Sequence, residues 1–329
     1  MTDTSRPDRG GRAHNDLGPR RSGVDAGQLA ERLERAGFEG QESLLVALAT
    51  LATIGSPENV DVDWIASVAD RIGDPDILLE TVGVVFAFNT INRIADARRV
   101  QLEYRLVREW KPIRGWVERL LASLTGVAYD LSFKHHARHS SAELLQRLGF
   151  VFERLGVTKV PHVFQWVSQS PVVLEGILEM LEANVTSHSV HTDVLKEAIA
   201  IGVASRAMPG SGLRRMAEQW LPEESVLDAK SLRAWAAPGG SSIGDLVSAS
   251  RRYAWQVANA AYTVTEEQIR ELADLGLSDA ERLDLALATS LFSALAITET
   301  ISMAVAPALI TAAKTLESPP HREIQAQSA

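Results

Sequence analysis

The chain has 329 residues, 46% hydrophobic and 23% charged, enough apolar material for one large or two ordinary domains with buried cores, so disorder is not its expected state. Its formal net charge of −9 and pI near 5.5 oppose general attraction to nucleic-acid phosphates or an anionic membrane surface, and neither partner is expected. It contains no cysteine, which excludes disulfides, thiolate metal sites, iron–sulphur clusters and every cysteine nucleophile.

Residues 1–24 are polar and rich in Arg, Gly and Asp, with no charged-then-apolar signal pattern; they read as a disordered tail, and the protein as cytoplasmic. From Ala26 apolar residues recur at three- and four-residue steps, first at Leu29, Leu33 and Ala36, so helices are expected. After a break at Gly55-Ser56-Pro57, Asp74-Pro75 pairs an N-cap residue with proline at the first helical position. The helix it opens is apolar around most of its circumference and must be covered, by this chain or by a second subunit. On it Asn89, Asn92, Arg93 and Asp96 stand at i, i+3, i+4 and i+7, which puts them on one face. A buried arginine keeps its charge and requires a carboxylate, and Asp96 is the nearest. The stripe reads either as an anion clamp, with Asn89, Asn92 and Arg93 binding substrate, or as a structural network between helices.

Connecting helices are expected from about Glu103 to Gly156. Within them His135 and His139 have the one-turn spacing of zinc ligands, but His136 stands where the metalloprotease pattern has glutamate, and Lys134 and Arg138 would repel a dication. No metal site is expected there; a solvated basic segment or a contact to an acidic ligand remains. Leu144, Leu145, Leu148, Phe152 and Leu155 form the next apolar face, and the turn from Gly156 to Pro161 divides an N-terminal helical region, 25–156, from a second one, 157–317. In the second, Trp166 is either core or a ligand platform, Ser170-Pro171 opens a helix, and Glu175, Glu179 and Glu182 predict its solvated face.

Glu197, near His188, His191 and Asp193, is a candidate general base with His191 as its general acid. His191 lies six positions before it, which is not a shared helical face, and the other reading is an exposed first turn with capping groups. Burial of Glu197 among apolar neighbours would raise its pKa toward neutrality, as an acid–base catalyst needs. Further breaks are expected at Pro209 to Gly212 and Ala236 to Gly244. Gly240-Ser241-Ser242-Ile243-Gly244 spells a nucleophile elbow, yet no strand precedes it. Thr265 with Gln268 and Ser278 with Glu281 fit capping boxes on either side of Gly276, a residue suited to a left-handed turn. Leu285 to Thr298 is apolar but shorter than the roughly 20 residues of a membrane span, and reads as a buried core helix. A polar tail, 318–329, follows. No stretch alternates with period two, so the fold class is all-α.

Val60 to Ala97 and Val264 to Ile301 align without a gap, placing Phe88 on Phe292, Val68 on Leu272 and Asp70 on Asp274, as an internal duplication would. The same hairpins carry a family resemblance. "VGVVFAFNTINRIADA" (Val82 to Ala97) resembles the long C-terminal helix of the carboxymuconolactone decarboxylase and alkylhydroperoxidase D family, and "VTEEQIRELADLGLSDAERLDLALATSLFSALA" is similar to the same region. "VPHVFQWVSQSPVVLEGILEMLEAN" (Val160 to Asn184) and "LKEAIAIGVASRA" (Leu195 to Ala207) resemble the helices that precede the family's redox motif. The resemblance implies an alkylhydroperoxidase D-like helical bundle, one full unit plus an additional half-unit, and at least a homodimer.

Peroxidatic members carry Cys-x-x-Cys-x-x-x-His after a glutamate. Here Glu197 is followed by "MPGSGLRRM": the thiol positions fall at or beside Pro209 and Gly212, and the histidine position near Met216. Without a thiolate to attack peroxide and a second thiol to resolve it, the family's peroxidase reaction is excluded. The decarboxylating branch of the family works by acid–base chemistry, so the resemblance leaves open a cofactor-free lyase, isomerase or cyclase acting on, or a protein merely binding, a small apolar molecule. The other expectation is a catalytically silent scaffold or assembly protein.

Overall fold

The computed structural model describes residues 26–38, 40–54, 62–98, 138–157, 159–186, 192–221 and 246–317. Both tails, the segment 99–137 with His135 and His136, the breaks at Gly55-Ser56-Pro57 and Ala236 to Gly244, His188 and His191 lie outside these residues. Among the described residues there are twelve α-helices, one short 3-10 turn and no strand, which establishes the all-α class. The helices are α1 (Ala26–Arg35), α2 (Gln41–Ile54), α3 (Val62–Ile72), α4 (Pro75–Ala97), α5 (Ser141–Arg154) and α6 (Val163–Val167). They continue with α7 (Pro171–Thr186), α8 (Thr192–Ala204), α9 (Gly212–Trp220), α10 (Leu246–Ala260), α11 (Glu266–Asp274) and α12 (Asp279–Glu317).

Helix starts follow local chemistry. The Asp74 carboxylate accepts from the Asp76 amide at 2.9 Å, with Pro75 in the first turn where its missing N–H costs nothing. Ser140 with Glu143 and Thr265 with Gln268 close reciprocal capping boxes, and Ser278 with Glu281 makes the same exchange at the start of α12. Gly276, at φ +105°, makes the left-handed turn between α11 and α12 that only glycine adopts without strain.

The core is organised around α12, which packs most extensively on α4 and also on α8, α3 and α10. Leu285, Phe292 and Leu295 are fully buried, and 94% of the most apolar 18 residues of this helix lie inside the protein. This is the buried core helix that Leu285 to Thr298 indicated, within a helical segment of 27 residues, Asp279 to Val305, that is long and apolar enough to cross a membrane by length and composition. The hydroxyls of Thr289, Ser293, Thr298 and Thr300 each donate to the carbonyl four residues earlier, which lets polar side chains lie in the core. Close approach of α8 to α12 depends on Gly202, where a Cβ would stand 2.9 Å from Ser293 Oγ and 3.2 Å from Thr289 Cγ2. One hydrophobic core runs from Leu44 on α2 to Val305 on α12, continuous across the expected boundary between 156 and 157.

The second long apolar helix, α4, is half-covered: 44% of its apolar stretch is buried, and Val84, Phe88 and Ile91 form an exposed i, i+4, i+7 stripe. The pairs α3–α4 and α11–α12 begin at the same offset, Val62 with Glu266 and Pro75 with Asp279. Their burial differs. Phe88 is 65% exposed where Phe292 is fully buried, and Leu79 is buried where Leu283 is 39% exposed. The two hairpins therefore share boundaries but turn different faces to the core.

Candidate functional site

The polar stripe on α4 splits at the edge of the core. Asn89 and Arg93 are buried, whereas Asn92 and Asp96 are exposed. Asp96 is not the partner that the sequence suggests for Arg93. Instead the Arg93 Nε–H donates to the Ala258 carbonyl at 3.2 Å, near the end of α10, and its Nη1 donates to the backbone and side-chain oxygens of Asn89. The reason is geometric: α10 comes to the buried edge of α4, while Asp96, one turn on, faces outward. All three acceptors are neutral. Burial pushes the Arg93 guanidinium down to about 10, and the charge of Asp96 offsets only part of that.

A second buried arginine, Arg206, follows α8 and is 6% exposed. Burial, and after it the like charge of Arg93, push it down to about 9. No periodicity marks Arg206, because it stands in the turn after a helix; the only sequence signal is a single cation between Ala204 and Ala207.

Glu197 on α8 is half-buried and held by Arg251 of α10, whose Nε donates to its carboxylate at 2.8 Å. It is thus tied to a guanidinium by a charge-assisted hydrogen bond rather than enclosed by apolar neighbours. His191, its candidate partner, is outside the described residues. Trp166 on α6 is 4% exposed, and its indole Nε1–H has no hydrogen-bond acceptor among the described residues, an uncommon state for a buried donor.

Glu175 corrects the reading of a solvated carboxylate stripe. It is buried at the start of α5, accepting from the Arg138 amide at 2.9 Å and lying 2.7 Å from His139 Nδ1; the hydrogen bond from His139, followed by that from the Arg138 amide, lowers its pKa. Glu182 is bridged by Arg147 from the same helix, α5. The α7 face that carries them is partly covered by α5, while Glu179 between them is exposed, as the stripe predicts. His139 is engaged here, and no cluster of three metal-ligating side chains occurs among the described residues.

Sequence reasoning also missed Glu299, which sits mid-way along α12 and is 1% exposed. Its carboxylate accepts from the Gly212 amide at 2.9 Å and the Leu213 amide at 3.0 Å, with Ser211 as a further partner, at the N-terminus of α9. The positive end of the α9 dipole faces this charge. Gly212 leaves room for that contact, because a Cβ would stand 2.9 Å from Glu299 Oε1 and the carboxylate would have to shift. Burial holds the Glu299 carboxyl above its ordinary value, and the hydrogen bonds from Ser211, Leu213 and Gly212 pull in the other direction. This is also the position at which the family resemblance would place its thiols. The signal in the sequence was a lone carboxylate closing a long apolar run, which demands a partner from another element.

No family model, no curated protein and no solved structure matches the chain.

Proposed function

We propose that this protein binds a small, largely apolar molecule between its helices, with Arg93 as the anchoring group and without thiol chemistry. The observation that carries the reading is the environment of Arg93: a guanidinium buried in a helical core and, among the described residues, bonded to neutral oxygens. Such a group is costly to bury unless negative charge is brought to it. Trp166, a buried donor whose N–H has no acceptor among the described residues, is a polar group of the kind that orients an apolar ligand. On this reading Glu197 and His191 would furnish acid–base groups for a cofactor-free lyase, isomerase or cyclase, and the chain is a cysteine-free relative of the carboxymuconolactone decarboxylase and alkylhydroperoxidase D proteins. The test is native mass spectrometry of the protein purified from its own host, beside an Arg93→Met variant. The reading expects a retained small molecule on the wild type and its loss from the variant; a bare polypeptide mass for both contradicts it.

A silent scaffold is the second reading, and two observations favour it. Glu299 fills the helix N-terminus where the resemblance would put a reactive thiol, and Glu197 is engaged by Arg251. On this reading the exposed Val84, Phe88 and Ile91 stripe is the surface of a homodimer. Full competence of a Glu197→Gln strain in vivo, together with a bare mass, would select it.

A further inference from the structure

The outer face of α4 is an apolar surface that the described residues leave uncovered. Val84, Phe88 and Ile91 are exposed in the middle of a helix whose opposite side lies in the core. The outward ends of the same helix are acidic: Asp76 and Glu80 precede the stripe and Asp96 follows it, all three exposed. A second copy matches such a face poorly. Glu80 and Asp96 lie equally far on either side of Phe88, so two α4 helices paired about that residue would set carboxylate against carboxylate at both ends, whether they ran parallel or antiparallel.

The fold brings one segment of the chain itself to both ends of this face. Residues 99–137 lead off from the end of α4 at Arg98 and rejoin the described chain at Arg138, whose backbone amide donates to Glu175 on α7 at 2.9 Å. There α7 is seated on α4: a Cβ at Gly83, next to Val84, would stand 3.3 Å from Val173, which precedes Glu175 on the same helix. The chain thus leaves at one end of the stripe and returns beside the other, a separation of roughly 20 Å along the α4 axis that 39 residues span easily. The composition of the segment is complementary to the face. It holds seven Lys or Arg against four Asp or Glu, in a chain of net charge −9. After Pro112, a residue suited to a first helical turn, Ile113, Val117, Leu120 and Leu124 fall at i, i+4, i+7 and i+11, which makes one apolar stripe with Arg114, Glu118, Arg119 and Ala122 off it.

We infer that residues 112–124 dock on α4 as an antiparallel amphipathic helix, laying Ile113, Val117, Leu120 and Leu124 along Val84, Phe88 and Ile91. The inference is independent of the small-molecule reading above. The antiparallel direction follows from the two points at which the segment joins the described chain, one at each end of the stripe. Apolar burial on both helices supplies the free energy, as when an amphipathic helix enters a hydrophobic groove. The basic residues of the segment meet the acidic ends of α4, which fixes orientation more than it adds affinity.

The chain has no cysteine, so introduced thiols are its only ones. In the full-length protein Phe88→Cys is combined in turn with Val117→Cys, Leu120→Cys and Ala122→Cys, and disulfide formation in a dilute glutathione redox buffer is followed on non-reducing gels. The faster of the first two pairs is expected to close an intramolecular disulfide about tenfold faster than the pair with Ala122→Cys, because docking raises the effective concentration of thiols on the apposed faces alone. Equal rates for all three pairs, including no reaction in any, overturn the inference. An intermolecular disulfide from Phe88→Cys alone, with no intramolecular product in the pairs, assigns the face to a second copy and overturns it also. Amide hydrogen exchange on the unmodified protein asks the same question without a substitution: residues 113–124 are expected to exchange about a hundredfold slower than an unstructured chain, and exchange at the unstructured rate contradicts docking.

Discussion

Glu299 shows how much a single side chain can couple in this fold. It joins the middle of the core helix to the first amides of α9, and Glu299→Ala would leave the Gly212 and Leu213 N–H groups buried without an acceptor, a loss of about 3 kcal/mol measurable by urea unfolding. Its titration gives a second prediction. Because burial raises the folded value above the 4.5 of an unperturbed carboxyl, the stabilisation from the protonated form is fully present below 4.5 and is lost as pH rises through the folded value. Unfolding free energies taken in steps above pH 4.5 should fall for the wild type relative to Glu299→Gln, which lacks this dependence; parallel profiles would contradict it. The sequence made Asn89 and Arg93 legible as a buried polar pair, because polar residues at i and i+4 on an apolar helix need partners. It could not supply those partners. Asp96 was near in sequence but outside the core, while Ala258, Arg206 and Glu299 belong to elements whose neighbours only the folded chain defines.

At the scale of elements, caps and turns were readable because their physics is local. Asp74, Thr265 with Gln268, Ser278 with Glu281, and Gly276 all act within four residues of themselves. Which face of a helix is covered was not readable where apolar residues surround the axis, and this is why α7 presents Glu175 and Glu182 to α5, and why Phe88 and Phe292 have opposite fates. Helix crossings are equally non-local. Gly202 permits the approach of α8 to α12, and its neighbours include the Thr289 backbone carbonyl at 3.4 Å, which cannot step aside as a flexible side chain would. Gly202→Ala is expected to destabilise the protein by roughly 1–3 kcal/mol, read as a lowered melting temperature by calorimetry. The corresponding change at Gly149, where a Cβ meets nothing within 4 Å, is expected to be neutral or mildly stabilising.

For the whole molecule, the all-α scaffold follows from composition and periodicity, whereas its assembly and ligand depend on surfaces that the sequence only brackets. The Val84, Phe88 and Ile91 stripe is the place where a second copy would cover α4. On the homodimer reading, Phe88→Asp is expected to lower the wild-type sedimentation coefficient to that of a monomer while leaving the helical circular dichroism intact; an unchanged coefficient would remove this face from any interface between copies. The central claim, that a small, largely apolar molecule is anchored at Arg93 between the helices, is tested most directly by native mass spectrometry of the protein purified from its own host beside the Arg93→Met variant. The account predicts a small molecule retained on the wild type and missing from the variant. A bare polypeptide mass for both proteins would contradict it.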